Sequence, residues 1–381
     1  MTLELAPLPI EIAEGALDDL RERLSRTRWP NQVEGIGWEQ GTELGYLQGL
    51  CEHWRTTYDW RACEARLAAY EHVAADIDGQ RLHALVARSP EPDALPLLLV
   101  HGWPGSVVEF LDVLGPLTDP RAHGGNPSQA FHVVCPSLPG FGYSGPTTQP
   151  GWHPRRIAEA CGELMTALGF ERFGAQGGDW GSIVTANVAD LLPERVVGLH
   201  LNFVTVSPPK DRSPLSASDE AALARIAEFR RDGSGYQEIQ GTRPQSLGYG
   251  HADPPAALAA WIVEKFRSWS DNDGDVEQSF PRNRLLDNLS LYWLTGTGAS
   301  AGRIYWEMRQ VGRAGIPQQF VRVPTGIANF PGEVTRMPRH WVEGRYNVVH
   351  WTDQIQGGHF AAMEVPGLFV DDVRAFFSLV R

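Results

Sequence analysis

The stretch Gln176-Gly177-Gly178-Asp179-Trp180-Gly181 decides the fold prediction for this chain. It matches the G-x-S-x-G nucleophile elbow, a sharp strand-to-helix turn that lifts one side chain above a sheet, except that Asp179 replaces the serine. A short strand-like run begins at Phe173, and Ser182–Leu191 has the pattern of a helix. The strand before the turn and the helix after it, which the motif requires, are therefore both present. The alternative interpretation is that Asp179 only caps the N-terminus of that helix.

An aspartate at this position indicates a particular kind of nucleophile. A serine needs a neighbouring base before it can attack, whereas an aspartate is an anion at neutral pH. Attack by Asp179 on an sp³ carbon that bears a strained or good leaving group would give an alkyl ester. That ester has to be hydrolysed before the next turnover, so a base that activates water is also required.

The composition argues against several classes of function. The 381 residues carry a formal net charge of −13 and no basic cluster, which disfavours nucleic acid and anionic membranes as partners. The chain opens without signal-peptide features and has no apolar stretch of roughly 20 residues, so we expect no membrane association. The four cysteines form no C-x-x-C pair and are typical of a cytoplasmic protein. The histidines lack H-x-H or H-E-x-x-H spacing, so we expect no metal and no other cofactor.

The chain divides into four segments by pattern. Residues 1–75 contain helix-like stretches rich in aromatic residues, which predicts an N-terminal meander wrapped over the rest. Residues 76–207 alternate short buried strands with helices, as is typical of a mainly parallel α/β sheet covered on both faces. Residues 208–316 have only helical patterns and predict a helical cap inserted into the core. Residues 317–381 then form the second half of that core.

A base for the second step is predicted near the C-terminus. His359 follows two glycines after the last plausible strand, and the order nucleophile, acid, histidine is typical of enzymes with this elbow. Its orienting carboxylate should come from an earlier strand end, and Glu333, 26 residues before the histidine, is the favoured candidate. Asp353, only six positions before His359, stays open as the alternative.

The predicted reaction also needs an oxyanion hole and a proton donor for the leaving oxygen. The loop that contains Trp103 follows an apolar strand, and a loop there commonly donates a backbone N–H to an oxyanion hole, with the second N–H coming from Trp180. Each such donor is typically worth about 3–4 kcal/mol. A leaving oxygen needs a proton, which Tyr236 or Tyr305 in the predicted cap would supply. We expect Trp103, Trp180, Tyr236 and Tyr305 to contact the substrate, although a tyrosine taken alone is more often a packed aromatic.

Together these features resemble the microsomal-type epoxide hydrolases, a branch of the α/β-hydrolase fold. The resemblance runs almost from end to end, through Leu20–Pro30, Tyr58–Arg61, His101–Ser106, Gly177–Ser182, Gly235-Tyr236, Ala260–Phe266, Tyr292–Thr297, Tyr305, Pro324–Glu333 and Gly357–Met363. It implies an apolar epoxide and water as substrates, without a cofactor. The N-terminal apolar anchor of the membrane-bound members is absent, so a soluble bacterial form is expected.

The resemblance also implies a role for each candidate residue. It makes Asp179 the nucleophile, with His359 as the base that activates water and Glu333 as its partner. The pair of ring-opening tyrosines in that family corresponds to Tyr236 and Tyr305 of this chain. The family's oxyanion hole corresponds to the backbone amides of Trp103 and Trp180.

Other functions share part of this pattern. A haloalkane dehalogenase would use the same aspartate and base, but it needs halide-binding N–H donors, such as that of Trp180, in place of the tyrosines. A non-catalytic α/β-hydrolase used as a small-molecule receptor would lack a catalytic residue, and none is missing here. Lysines make up only two of the 33 basic residues, which indicates a GC-rich bacterial genome and is compatible with a role in secondary metabolism. The sequence leaves a homodimer open and indicates no other protein partner.

Overall fold

One sheet organises the protein, and its strands follow the apolar runs of the sequence. The computed structural model describes residues 3–208 and 214–381, so that Met1, Thr2 and the expected start of the cap at 209–213 lie outside it. The strands are β1 (Ala6–Pro7), β2 (Glu71–Ile77), β3 (Gln80–Ala87), β4 (Leu95–Val100), β5 (Phe131–Pro136), β6 (Phe173–Gly177), β7 (Val196–Leu201), β8 (Val321–Asn329) and β9 (Tyr346–Asp353).

The strand order is β1-β2-β3-β5-β4-β6-β7-β8-β9. The pairs β1–β2, β2–β3 and β3–β5 are antiparallel, whereas all pairs from β5–β4 to β8–β9 are parallel. The predicted mainly parallel sheet is therefore confirmed. The loops that follow β4, β6, β7 and β8 meet at one edge, as parallel strands require.

Both faces of the sheet are covered, as the alternation along β4 illustrates. Leu98 and Val100 join an apolar cluster on one face, while Leu97 and Leu99 join the cluster on the other. Successive side chains of a strand point to opposite faces, so a strand buried on both sides needs a continuous apolar run. This explains why β4 lacks the polar alternation of a half-exposed strand.

Helices precede, cover and interrupt the sheet. Before β2 lie α1 (Glu14–Ser25), α2 (Leu44–Thr56) and α3 (Trp60–Ala68), and between β4 and β7 lie α4 (Leu111–Thr118), α5 (Pro154–Ala167) and α6 (Asp179–Leu191). Between β7 and β8 lie α7 (Ala217–Glu228), α8 (Gly235–Thr242), α9 (Pro244–Ala252), α10 (Pro255–Ser268), α11 (Val276–Ser279), α12 (Arg282–Leu294), α13 (Gly298–Ala301) and α14 (Arg303–Val311). After β8 come α15 (Arg339–Glu343), α16 (Ala361–Glu364) and α17 (Pro366–Val380). We refer to α7–α14 as the cap.

The N-terminal helices pack on the cap. The indole N–H of Trp54 in α2 donates to the Ser290 hydroxyl at 2.8 Å, and the Tyr58 hydroxyl donates to an Asp287 carboxylate oxygen at 2.8 Å. Both acceptors lie on α12. None of the helices in the described ranges combines the length and the hydropathy needed to cross a membrane.

A buried histidine pair joins β2 to β3. His72 Nε2 lies 2.8 Å from the Leu67 carbonyl oxygen, so it carries the proton and leaves Nδ1 as an acceptor. His83 Nε2 then donates to His72 Nδ1 at 2.8 Å, and His83 Nδ1 accepts from the Ser137 hydroxyl at 2.9 Å. Both rings are therefore neutral in this arrangement.

This pair predicts a loss of stability in acid. Burial lowers the pKa of His72 and His83, and it lowers the pKa of His101 and His251 to about 4. Because histidines of the unfolded chain titrate near a pKa of about 6.5, each of these four groups binds fewer protons in the folded state below that pH, and the stability that it contributes falls as the pH falls. Thermal unfolding followed by circular dichroism at about pH 5 and about pH 7.5 measures this contribution. His72→Gln should lose less melting temperature between pH 7.5 and pH 5 than the unsubstituted protein does, and an equal change in both proteins would contradict the assignment.

Candidate active site

The elbow turn places Asp179 between β6 and α6 with a backbone conformation that few residue types adopt. Its φ of +48° lies in the left-handed region that favours glycine. The turn is tight, because a Cβ at Gly177 would lie 2.3 Å from the Gly181 carbonyl oxygen, and a Cβ at Gly181 would lie 2.0 Å from the Val100 carbonyl oxygen. These contacts explain both glycines of the motif. Strain of this kind is typical of residues at functional sites.

One oxygen of Asp179 is held by the loop after β4. The backbone N–H of Trp103 donates to Asp179 Oδ1 at 2.7 Å. The backbone N–H of Trp180 follows in the first turn of α6, where N–H groups have no partner inside the helix. The Trp103 N–H thus contacts the Asp179 carboxylate, and the Trp180 N–H belongs to the residue that follows Asp179 in the chain.

His359 lies between two carboxylates. Its Nδ1 is 2.6 Å from Glu333 Oε1, and its Nε2 is 3.4 Å from Asp179 Oδ2. The hydrogen bond to Glu333 fixes the ring and directs Nε2 at Asp179. All three side chains are largely enclosed, with 3% of His359, 3% of Glu333 and 17% of Asp179 exposed.

The fold selects between the two candidate carboxylates. A parallel bridge between Gly332 and Gly358 joins the loop after β8 to the loop after β9, and it brings Glu333 beside His359. Asp353 ends β9, is 66% exposed and accepts a hydrogen bond from Asn329 at 2.6 Å. It therefore has no contact with the imidazole.

Burial and charge act in opposite directions on His359. Burial lowers the pKa of the imidazole, but the neighbouring Glu333 and Asp179 carboxylates outweigh it and hold this pKa well above its ordinary value. The ring is therefore protonated at neutral pH, with its charge balanced by two anions. Removal of the charge on Asp179 would lower the pKa of His359.

The cap brings the two predicted tyrosines together above the elbow. Tyr236 lies on α8 and Tyr305 on α14, with ring centroids 5.6 Å apart. Tyr236 stacks on Trp103 at 5.1 Å, and Tyr305 packs edge-on to Trp180 at 4.8 Å. The same tryptophans thus supply backbone amides near Asp179 and ring surfaces that fix the tyrosines.

Both tyrosine hydroxyls are available as donors. Burial raises the pKa of Tyr236 and of Tyr305, and the charge of Asp179 adds to both shifts, so each hydroxyl stays protonated. The Tyr305 hydroxyl is buried with no partner at ordinary hydrogen-bond distance among the described residues, although the Tyr236 hydroxyl and the Trp180 side chain lie near enough to affect its pKa. The Tyr236 hydroxyl accepts a hydrogen bond from Gln237 Nε2 at 3.0 Å, which leaves its own proton free.

A cavity of about 600 Å³ opens onto these groups. Its lining contains Asp179, Trp180, His359 and both tyrosines. The rest of the wall is mainly apolar and includes Ile183, Phe203, Val206, Leu223, Ile226, Phe229, Val334 and Met337. Trp103 is absent from this lining and stands behind Tyr236 instead.

Asn202 supports the site and was missed in the sequence. Its Nδ2 lies 3.4 Å from the His359 carbonyl oxygen, and its Oδ1 accepts from Gln176 Nε2 at 2.7 Å. A Cβ at Gly178 would lie 2.6 Å from Asn202 Nδ2, so the elbow leaves room for this amide. The available signal was its place directly after β7, at the edge where the other site residues lie.

Gly102→Ala tests how closely the loop after β4 encloses Asp179. An added Cβ would lie 2.2 Å from Asp179 Oδ1, so the carboxylate would have to move. Since a displacement of about 1 Å at a reacting group can cost about 10²-fold, we expect a loss of between roughly 10-fold and 100-fold in kcat/KM, with an unchanged circular dichroism spectrum. Gly49→Ala on α2 is the control because its Cβ would meet nothing within 4 Å. Equal activities of the two variants would contradict the predicted enclosure.

The chain matches two family models over adjoining parts of its length. The model described as "Epoxide hydrolase N terminus" matches residues 5–110, and the model described as "alpha/beta hydrolase fold" matches residues 96–236. A protein of Stigmatella aurantiaca, provisionally named an epoxide hydrolase, is 48% identical over 99% of this chain and 86% of its own length. Epoxide hydrolase 1 of Sus scrofa is 35% identical over 99% of this chain and 89% of its own length.

A solved structure supports the same relationship. The structure of Aspergillus niger epoxide hydrolase superimposes with a TM-score of 0.88 at 32% identity, covering 100% of this chain and 97% of that one. These similarities extend over the N-terminal meander, the sheet and the cap, and they accompany an aspartate elbow with a histidine and a glutamate beside it. The chain belongs to the epoxide hydrolases, within the α/β-hydrolase fold.

Proposed function

We propose that the protein hydrolyses an apolar epoxide to a vicinal diol in two steps, through a covalent ester on Asp179. The observation that carries this proposal is the position of the two Asp179 oxygens. Oδ1 accepts from the Trp103 N–H at 2.7 Å, so Oδ2, which lies 3.4 Å from His359 Nε2, is the oxygen left to attack carbon. The first step forms the Oδ2–carbon bond and breaks a carbon–oxygen bond of the ring.

The tyrosine pair serves the leaving oxygen in the first step. An opening epoxide ring develops alkoxide charge on its oxygen, which needs a hydrogen bond or a proton. Tyr236 and Tyr305 line the same cavity as Asp179, and their burial keeps both hydroxyls protonated. We therefore assign the two hydroxyls to the oxygen and Asp179 to the carbon.

His359 serves the second step, and the first step prepares it. Ester formation removes the Asp179 charge, which is one of the two that hold the pKa of His359 high. The imidazole then loses its proton more readily, and that proton replaces the one which a tyrosine has given to the ring oxygen. The neutral imidazole takes a proton from water through Nε2, while Nδ1 remains bound to Glu333. Water attacks the ester carbonyl carbon, and the charge that develops on Oδ1 is stabilised by the Trp103 N–H that already binds this atom.

The cavity favours a substrate with an apolar body. Its wall is mainly aliphatic and aromatic, and its volume of about 600 Å³ exceeds that of a simple alkyl epoxide. We extend the proposal to bacterial secondary metabolism on two grounds, the scarcity of lysine and the relative from Stigmatella aurantiaca.

Isotope labelling tests the two-step route. In a single turnover of excess enzyme with styrene oxide in H₂¹⁸O, the label should enter the Asp179 carboxylate and not the diol, because water attacks the ester carbonyl. Peptide mass spectrometry and diol analysis measure the two positions. Label found in the diol alone would indicate direct attack of water on the ring. A haloalkane is the parallel probe, since Trp180 also lines the cavity and its indole N–H has no hydrogen-bond partner within residues 3–208 and 214–381. We expect no halide release.

A further inference from the structure

A second, much smaller cavity lies against the catalytic side chains. Its volume of about 20 Å³ fits a single water molecule, which needs roughly 10–15 Å³. Asp179 and His359 line it, as they also line the large cavity, so the two spaces adjoin the same pair of reacting groups. Its lining also contains Glu109, a carboxyl that the two-step route described above does not use.

Gly105 provides the space that Glu109 occupies. A Cβ at position 105 would lie 1.3 Å from Glu109 Oε1, so any other residue there would displace this carboxyl. The Tyr292 hydroxyl donates to the Gly105 carbonyl oxygen at 2.7 Å, and Asn288 Nδ2 donates to the Pro104 carbonyl oxygen at 2.8 Å. Two side chains of α12 therefore hold the loop against which Glu109 rests.

Glu109 is also coupled to the reacting groups by charge. Burial raises the pKa of its carboxyl to about 8, with His359 opposing the shift and Asp179 adding to it. A hydrogen bond from the Ser106 backbone N–H also opposes the shift. At neutral pH the carboxyl is therefore mostly neutral, and its carbonyl oxygen can accept a hydrogen bond without the cost of a buried charge.

We propose that Glu109 is a positioning residue that binds the hydrolytic water in this small cavity. This inference rests on the proposed function. The water donates one hydrogen bond to Glu109 and the other to His359 Nε2, which turns an oxygen lone pair towards Cγ of the Asp179 ester. The oxygen–Cγ bond forms, the proton passes to His359 Nε2, and the carbonyl electron pair moves to Oδ1. Collapse breaks the bond between Cγ and the alkyl oxygen, and the departing alkoxide takes the proton from His359. The water's other proton, left on the Asp179 carboxyl, then passes to His359 Nε2 and restores the resting state.

Separate measurement of the two steps tests this role, with styrene oxide as the probe. In rapid-quench experiments, mass spectrometry of the Asp179 peptide gives the rates of ester formation and ester hydrolysis. Glu109→Leu should form the ester at the rate of the unsubstituted enzyme and hydrolyse it at least about 10-fold more slowly, because the water has lost its acceptor. Glu109→Gln retains a carbonyl oxygen and should stay within about threefold of the unsubstituted enzyme.

A matched control separates this role from the general loss of a carboxyl near the site. Glu364 is partly buried, as Glu109 is, and its carboxyl accepts from the backbone N–H groups of Asp271 and Phe360 at 2.9 and 3.0 Å, outside the small cavity. Glu364→Gln should leave both rates unchanged, and thermal unfolding of all variants checks their folding.

The outcomes separate this inference from the proposed function. Unchanged hydrolysis in Glu109→Leu, or an equal fall of both rates, would overturn the role of Glu109 and leave the two-step route in place. No ester on Asp179 in any variant, including one without His359, would overturn the proposed function and this inference with it.

Discussion

The His359→Gln variant is expected to stop after one half-reaction, with the substrate bound covalently to Asp179. Attack by Oδ2 does not need the imidazole, whereas hydrolysis of the ester needs a base, and general base catalysis contributes about 10²–10⁴ in rate. Steady-state turnover should fall by that factor or more. Intact mass spectrometry after incubation with styrene oxide should show one adduct per chain, and peptide mapping should place it on Asp179.

A control variant and a pH series sharpen this experiment. His340 is 54% exposed and pairs with Asp219 at 3.0 Å, away from the cavity, so His340→Gln should turn over normally. In the unsubstituted enzyme, ester hydrolysis should accelerate as the pH rises through the pKa of His359 in the ester form, because only the neutral imidazole accepts a proton. An unmodified His359→Gln protein, or an adduct on another residue, would contradict the role of Asp179.

The second large effect is expected for simultaneous replacement of both cap tyrosines. Tyr236→Phe and Tyr305→Phe keep the rings that pack on Trp103 and Trp180 and remove only the hydroxyls. Either hydroxyl can still assist the ring oxygen alone, so each single variant should lose about 10–100-fold in the rate of ester formation. The double variant should lose about 10³-fold or more, because a donor to a developing oxyanion is worth about 10²–10³.

Ester formation is best measured in the His359→Gln background, where the adduct accumulates and its rate of appearance is the rate of the first step. Tyr249→Phe on α9 is the control, since Tyr249 is 71% exposed and lies outside the cavity. A double variant that forms the adduct as fast as its parent would show that the two hydroxyls do not act on the leaving oxygen. Halide release from haloalkanes by that variant would favour the dehalogenase alternative.

Several helices and strands could be predicted from the sequence because each depends on a continuous run of neighbouring residues. The continuous apolar run Leu95–Val100 is itself β4, and Arg282–Leu294, within the segment predicted to be a helical cap, forms a single helix. β9 is hard to recognise in the sequence, since Tyr346–Asp353 mixes polar and apolar residues without alternation and none of its residues is fully buried. The ends of β2, Glu71–Ile77, are set by its pairing along its whole length with β3.

Some features of the candidate site were likewise local in the sequence, and others depended on the tertiary structure. The sequence by itself determined the elbow, because the turn lies within one short run in which a Cβ at Gly177 would meet the Gly181 carbonyl oxygen, only four residues away. The contacts that require Gly178 and Gly181, with Asn202 and with the Val100 carbonyl oxygen, come from other strands and were not visible in the sequence. Only the tertiary structure decided that Glu333 rather than Asp353 orients His359, that Trp103 lies behind Tyr236, and that Glu109 lines a water-sized space. These relations depend on loops that follow different strands and meet at one edge of the sheet. The number of residues between two such loops does not predict whether they will lie side by side.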